Sequence, residues 1–149
     1  MKSERLIRIS WHGPYNLEET KKLKGEKDYG IYQIYGRHIV FGRASLLYIG
    51  KAVKQSFGER LGEQSWLYDL SGLEVYIGRI YEEDYKDDSD WEDIVSQCET
   101  LLIYWHSPPY NSQNINSHKA RNIRIHNHKE IASLLYEVST AWEKEMPKE

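Results

Sequence analysis

Hydrophobic positions along this chain recur at two periods, and each change of period marks the end of an element. Ile7, Ile9 and Trp11 alternate with Leu6, Arg8 and Ser10, the period-two pattern of a short strand with one buried face. Asn16 followed three residues later by Glu19 makes a capping-box pair, which predicts a helix running to Lys24 and ended by Gly25. Residues 29–35 predict a strand, Gly36-Arg37-His38 a turn, and residues 39–50 one or two returning strands interrupted near Gly42, together a hairpin. After Gly50 the spacing lengthens, and Val53, Phe57, Leu61 and, less regularly, Trp66 predict a helix over residues 52–64 in spite of Gly58 and Gly62. Residues 73–81 alternate again through Leu73, Val75 and Ile77 and predict a third strand of the hairpin sheet. Ser89 or Asp90 then caps a helix from Trp91 to His106, whose apolar face is Ile94, Cys98, Leu101, Leu102 and Trp105, and Pro108-Pro109 stops it. Residues 111–122 read as polar loop, 123–126 as a short extended piece, and 129–144 as a terminal amphipathic helix built on Ile131, Leu134, Leu135, Val138 and Trp142. The order predicts an α/β (α+β) fold, a small, mainly antiparallel sheet flanked by helices.

Composition narrows the class. A chain of 149 residues with 40% apolar content suits one domain with one core. No apolar run approaches the roughly 20 residues of a membrane span, and Met1-Lys2-Ser3-Glu4-Arg5 lacks the apolar core of a signal peptide, so a cytoplasmic protein with no membrane partner is expected. Cys98 is the single cysteine, which excludes an internal disulfide and a cysteine-based zinc site within the chain, and its simplest place is the core. The net charge of −3 is unevenly distributed: eight acids between Glu82 and Asp93 against Lys86 give that stretch −7 and leave +4 elsewhere. Bases gather at Arg37, Arg43, Lys51, Lys54 and Arg60, and again at Lys119, Arg121, Arg124 and Lys129. The charge distribution is compatible with a positive groove on an acidic molecule, although any one of these bases taken alone reads as a solvated surface charge.

The candidate chemistry sits in the hairpin and in the helices and loop beyond it. Gly30-Ile31-Tyr32 opens the first strand, and Tyr48-Ile49-Gly50 closes the second, sixteen residues beyond Tyr32. Two tyrosines thus stand on neighbouring strands, with hydroxyls expected to open onto one cleft. A phenol has a reference pKa of about 10, so a nearby cation must favour its phenolate before it can act as a base; Lys51, three residues after Tyr48, is placed to do so. Arg60 comes next on the predicted helix, Glu99 in the middle of the following one, and Asn111 after Pro108-Pro109-Tyr110.

These elements, in this order, resemble the catalytic domain of the GIY-YIG nucleases. The resemblance covers residues 28–113, with residues 1–27 as an N-terminal extension and 114–149 as a C-terminal helical one. It implies hydrolysis of DNA phosphodiesters with one Mg²⁺ or Mn²⁺ ion. By it, Tyr32 is the general base assisted by Tyr48 and Lys51, Arg60 holds the scissile phosphate, and Glu99 is the metal ligand. Lys51, Lys54, Arg60 and Asn111 form the substrate-binding set, Asn111 chiefly by fixing the loop around the site. Tyr76-Ile77-Gly78 repeats the second triplet, but it runs on as strand toward the acidic stretch instead of into a helix bearing an arginine, so it is read as ordinary strand sequence.

One position departs from the pattern. Several members carry a histidine or tyrosine one helical turn after the arginine; here Gln64 stands there, which cannot take a proton. Lys51 alone, Tyr68 or a distant histidine would then poise the base, and a non-catalytic nucleic-acid-binding module with a degenerate site is the alternative reading. His126 and His128 are spaced to share one face of a strand; with no third ligand evident, phosphate contact beside Arg121, Arg124 and Lys129 is the better expectation than a metal site. Target choice would come from the flanks, a homodimer or a protein partner.

Overall fold

The computed structural model describes residues 4–64, 66–67 and 70–142. Its elements are β1 (Arg5–Tyr15), α1 (Leu17–Thr20), β2 (Gly30–His38), β3 (Gly42–Ala52), α2 (Phe57–Gly62), β4 (Glu74–Ile80), α3 (Asp88–His106), β5 (Ile123–Lys129) and β6 (Glu137–Ser139). The strands form one six-stranded mixed sheet in the order β3-β2-β4-β1-β5-β6. Neighbours are antiparallel throughout except β1 and β5, which run parallel from Arg5 opposite Ile123 to Trp11 opposite Lys129. The fold is α+β.

Each face of the sheet is covered by helices the sequence supplies. On one face Ile7, Ile9, Trp11, Ile31 and Ile49 meet Ile94, Val95, Cys98, Leu101 and Leu102 of α3. On the other, Tyr32, Ile34, Leu47, Val75 and Ile77 meet Phe57 and Leu61 of α2 and Leu67 after it. The alternation of β1 and β4 is thereby explained: each apolar side chain buried this way contributes about 1.5–3 kcal/mol. Cys98 lies fully inside the α3 face, where burial pushes its thiol pKa upward and leaves it an inert core residue.

Several expected boundaries move, for local reasons. The capping box at Asn16 and Glu19 forms as expected, but α1 stops at Thr20, well short of Lys24. β3 continues through Gly50 and Lys51 to Ala52, and α2 begins only at Phe57 because Ser56, with Glu59, makes a second capping box. α3 starts at Asp88, ahead of Trp91, capped by Asp87 instead of Ser89 or Asp90. The amphipathic helix expected over residues 129–144 does not form: β5 extends through Lys129, and Glu137–Ser139 pairs back on it as β6. Lys129 and Ala132 both adopt positive φ, 68° and 55°, which no helix interior tolerates. Ile131, Leu134 and Val138 still reach the α3 face, so their helical spacing reported burial correctly and conformation wrongly. Residues 143 and 144 lie outside the described set. No helix among the described residues is long and apolar enough to cross a membrane.

Candidate active site

The hairpin register brings the two tyrosines together. Tyr32 pairs with Gly50, and Ile34 with Tyr48. Side chains directly opposite each other share a face, and so do those two apart on one strand; Tyr32 and Tyr48 therefore form a diagonal pair on the α2 face, ring centroids 6.2 Å apart. Gly50 makes this possible, because a Cβ there would overlap the Tyr32 ring. The repeated triplet has a different physical cause. Tyr76 pairs with Gln33, one residue out of step with Tyr32, and so lies on the opposite face against Tyr35. A Cβ on Gly78 would collide with Ile9 and Trp11, so that glycine clears space for the core.

Tyr48, Lys51, Lys54, Arg60 and Glu99 line a cleft of about 240 Å³ at the end of β3. The two helices feed it from opposite sides of the sheet, Arg60 from α2 and Glu99 from α3. Tyr32 departs from expectation: its side chain is fully buried beneath this cleft instead of opening onto it. Its hydroxyl oxygen accepts a hydrogen bond from Gln64 Nε2 at 2.9 Å, and Gln64 Oε1 accepts in turn from the Trp66 indole at 2.9 Å. Burial above all, then the neighbouring Tyr48, push the Tyr32 pKa far upward; Arg60, close to the same oxygen, opposes the shift without overcoming it. A phenol so held does not lose its proton readily, and its burial corrects the expectation that its hydroxyl opens onto the cleft. Tyr48 is the half-buried tyrosine that the cleft exposes.

Lys51 also serves a different group from the one expected. Three residues beyond Tyr48, its side chain leaves the strand toward α3, where Nζ donates to Ser96 Oγ at 2.9 Å. It lies one helical turn from Glu99, whose carboxyl is raised by burial and lowered, in order, by Lys51, Arg60 and Lys119. Glu99 itself is half-buried and forms no hydrogen bond or ion pair among the described residues. Three cations thus surround this partly desolvated carboxylate without a direct hydrogen bond or ion pair to it among the described residues. Among the described residues no three His, Cys, Asp or Glu side chains converge, so a divalent ion here would take one protein carboxylate and complete its shell with water and phosphate oxygens, as Mg²⁺ does.

Asn111 is buried, with both ends of its amide on one backbone unit: Oδ1 accepts from Ile49 N–H at 3.0 Å and Nδ2 donates to Ile49 C=O at 2.9 Å. The Tyr110 N–H adds a bond to Leu47 C=O at 2.9 Å. Asn111 therefore fixes the loop, as expected. The second basic cluster has one member, Arg124, that is tied down, and a neighbouring histidine held with it. Arg124 bridges Glu4 and Glu137 at 2.9 and 2.8 Å, and His126 Nε2 stands 2.8 Å from Glu137. Phosphate contact by Arg124 is thus corrected to internal ion pairing and that by His126 to a contact with Glu137, while Lys119, Arg121 and Lys129 stay exposed. His126 and His128 do share a face, with rings 6.2 Å apart around Tyr136. Tyr68 lies outside the described residues. Ser96 and Trp66 went unrecognised as site residues in the sequence; Ser96 was legible in principle, since three residues before Glu99 on a helix is the same face.

A scan against protein-family models, a search of curated proteins and a search of solved structures each return no match to this chain.

Proposed function

We propose that this protein is an endonuclease of the GIY-YIG type that hydrolyses DNA phosphodiester bonds with one divalent metal ion and a tyrosine base. Glu99 carries the reading: a half-buried carboxylate without a direct partner among the described residues, facing a cleft whose other polar walls are a tyrosine, a glutamine and three cations. Glu99 would hold Mg²⁺ or Mn²⁺, which when bound supplies positive charge to the phosphate and acidifies water. Arg60 would bind the scissile phosphate through two guanidinium nitrogens and meet the charge that grows on it in the transition state. Tyr48, facing the cleft, would take the proton of the attacking water. Tyr32, buried beneath, would position Arg60 and Tyr48 rather than act on water itself. Lys54, exposed at the cleft mouth, would contact a flanking phosphate.

A second reading, a binding module with a degenerate site, is favoured by Gln64, whose amide holds the Tyr32 hydroxyl where a proton-carrying side chain would serve chemistry. Supercoiled plasmid incubated with the purified protein separates the two. Nicking or linearisation in Mg²⁺ or Mn²⁺ that disappears with chelator supports the nuclease, whereas salt-sensitive binding without nicking in either metal supports the module.

A further inference from the structure

The β2–β3 hairpin ends in three consecutive apolar residues, Ile39, Val40 and Phe41, which are 98%, 76% and 66% exposed. Apolar side chains held in water at a projecting tip mark a surface that something else covers. The tip is joined to the cleft by a continuous line of rings. Phe41 stacks on His38 with centroids 4.7 Å apart and planes at 20°. His38 is followed by Tyr110 at 6.1 Å, Tyr110 by Trp66 at 5.6 Å, and Trp66 by Tyr48 at 5.5 Å. Trp66, Leu70 and Tyr110 form an open hollow midway along it, and Tyr110 is 42% exposed.

Cations stand at both ends of this line. Arg37 and Arg43 are exposed beside the tip and form no ion pair among the described residues, and Lys54 and Arg60 stand at the cleft. An apolar tip with two arginines would suit a lipid surface or a protein, but neither calls for a row of rings leading inward to a cleft lined by three cations. Unpaired nucleobases do: each has a π-face for an aromatic ring, and each is tied to a phosphate that needs a cation. Bases in a duplex are stacked on one another and offer no such faces.

We infer that the aromatic line from Phe41 to Tyr48 binds the unpaired bases of a single-stranded nucleic acid, and that its backbone is thereby led to Arg60. The place of cutting, at or beside a single-stranded segment, rests on the proposed nuclease activity; the binding does not.

The test measures binding in chelator, where no cleavage intervenes, by anisotropy of a labelled dT strand of about 12 nucleotides and of a duplex of equal length. The single strand should bind at least about tenfold more tightly. Tyr110→Leu and Phe41→Leu keep apolar bulk but lose the ring, and each should weaken single-strand binding by about 5- to 100-fold, from 1–3 kcal/mol per stacked base, with duplex binding unchanged. Tyr110→Phe should restore it. Both positions are exposed, so circular dichroism should report an intact fold. Equal affinity for both nucleic acids, indifference to both leucine variants, or capture by anionic phosphatidylserine vesicles without single-strand preference would each overturn the inference. Single-strand preference in a protein that never cleaves would leave it standing and remove the nuclease reading; cleavage of duplex without that preference would do the reverse.

Discussion

The two flanks of the sheet treat the arginines of their strands in opposite ways. On the β1–β5 side each arginine within a strand is answered: Arg5 grips Asp90 with bonds of 2.9 and 2.6 Å, Arg8 grips Asp84 at 3.0 and 2.8 Å, and Arg124 lies between Glu4 and Glu137, while Arg121, ahead of β5, and Lys129, at its end, stay exposed. On the β2–β3 side, Arg37, Arg43, Lys54 and Arg60 have no carboxylate partner among the described residues, and Lys51 rests on a serine hydroxyl. The acidic stretch from Glu82 to Asp93 supplies two of these partners, Asp90 and Asp84, while its other six acids are exposed. The net charge of −3 is therefore no guide to the β2–β3 flank, whose arginines are unanswered. Charge on the first flank acts on stability, and charge on the second is available to a polyanion.

The largest expected effect tests the second flank. Glu99→Gln keeps shape and removes charge, so cleavage should fall by on the order of 10²–10³, with DNA affinity unchanged or higher. Turnover near the parent rate in Mg²⁺ would end the metal role. Tyr48→Phe should fall comparably, while a larger loss in Tyr32→Phe would return the base to the buried tyrosine.

Next in size is a contrast of charge between the flanks. Replacing Lys54 and Arg60 together with alanine should reduce the slope of log affinity against log salt by about 1.4–1.8, two phosphate contacts at 0.7–0.9 each. Replacing Arg8 and Arg124 should leave that slope unchanged and lower the melting temperature instead. Equal slopes in both double variants would mean that the flanks do not differ.

The first flank is sharpened by acid. The Arg5 guanidinium, with the Lys86 N–H, holds the Asp90 carboxyl down at about 2. In the unfolded chain an aspartate titrates near 3.9, so the stabilisation is complete above that pH and is lost as pH falls toward about 2. Urea midpoints measured across this window should drop, and Asp90→Asn should flatten the drop.

Smallest of all should be Tyr76→Phe, whose hydroxyl lies on the wrong face: cleavage is expected within a few-fold of the parent. A loss matching that of Tyr48→Phe would restore the second triplet as a candidate.

Much of this was legible in the residues because strand pairing is arithmetic. Once Gly30-Ile31-Tyr32 and Tyr48-Ile49-Gly50 are taken as a hairpin, the shared face of the tyrosines follows from period two. Depth does not follow, and Tyr32 shows why: whether a ring is buried depends on what the opposite strand lacks, here the side chain of Gly50. The C-terminal segment failed for a related reason. Leu134 and Val138 reach the core at a spacing that a helix shares with a turn entering a strand, and the Asn127 side chain, donating to Leu135 C=O at 2.8 Å, helps select the turn.

The bond pattern of Asn111 has a consequence for assembly. β3 is the outermost strand on its side, with backbone groups that would otherwise recruit a seventh strand from another molecule. One amide and the Tyr110 N–H imitate that neighbour over Ile49 and Leu47, ending the sheet where the cleft begins. The edge beside the cleft is thus also guarded against polymerising, and a chain that loses the Asn111 amide should expose a template for fibres next to the cleft.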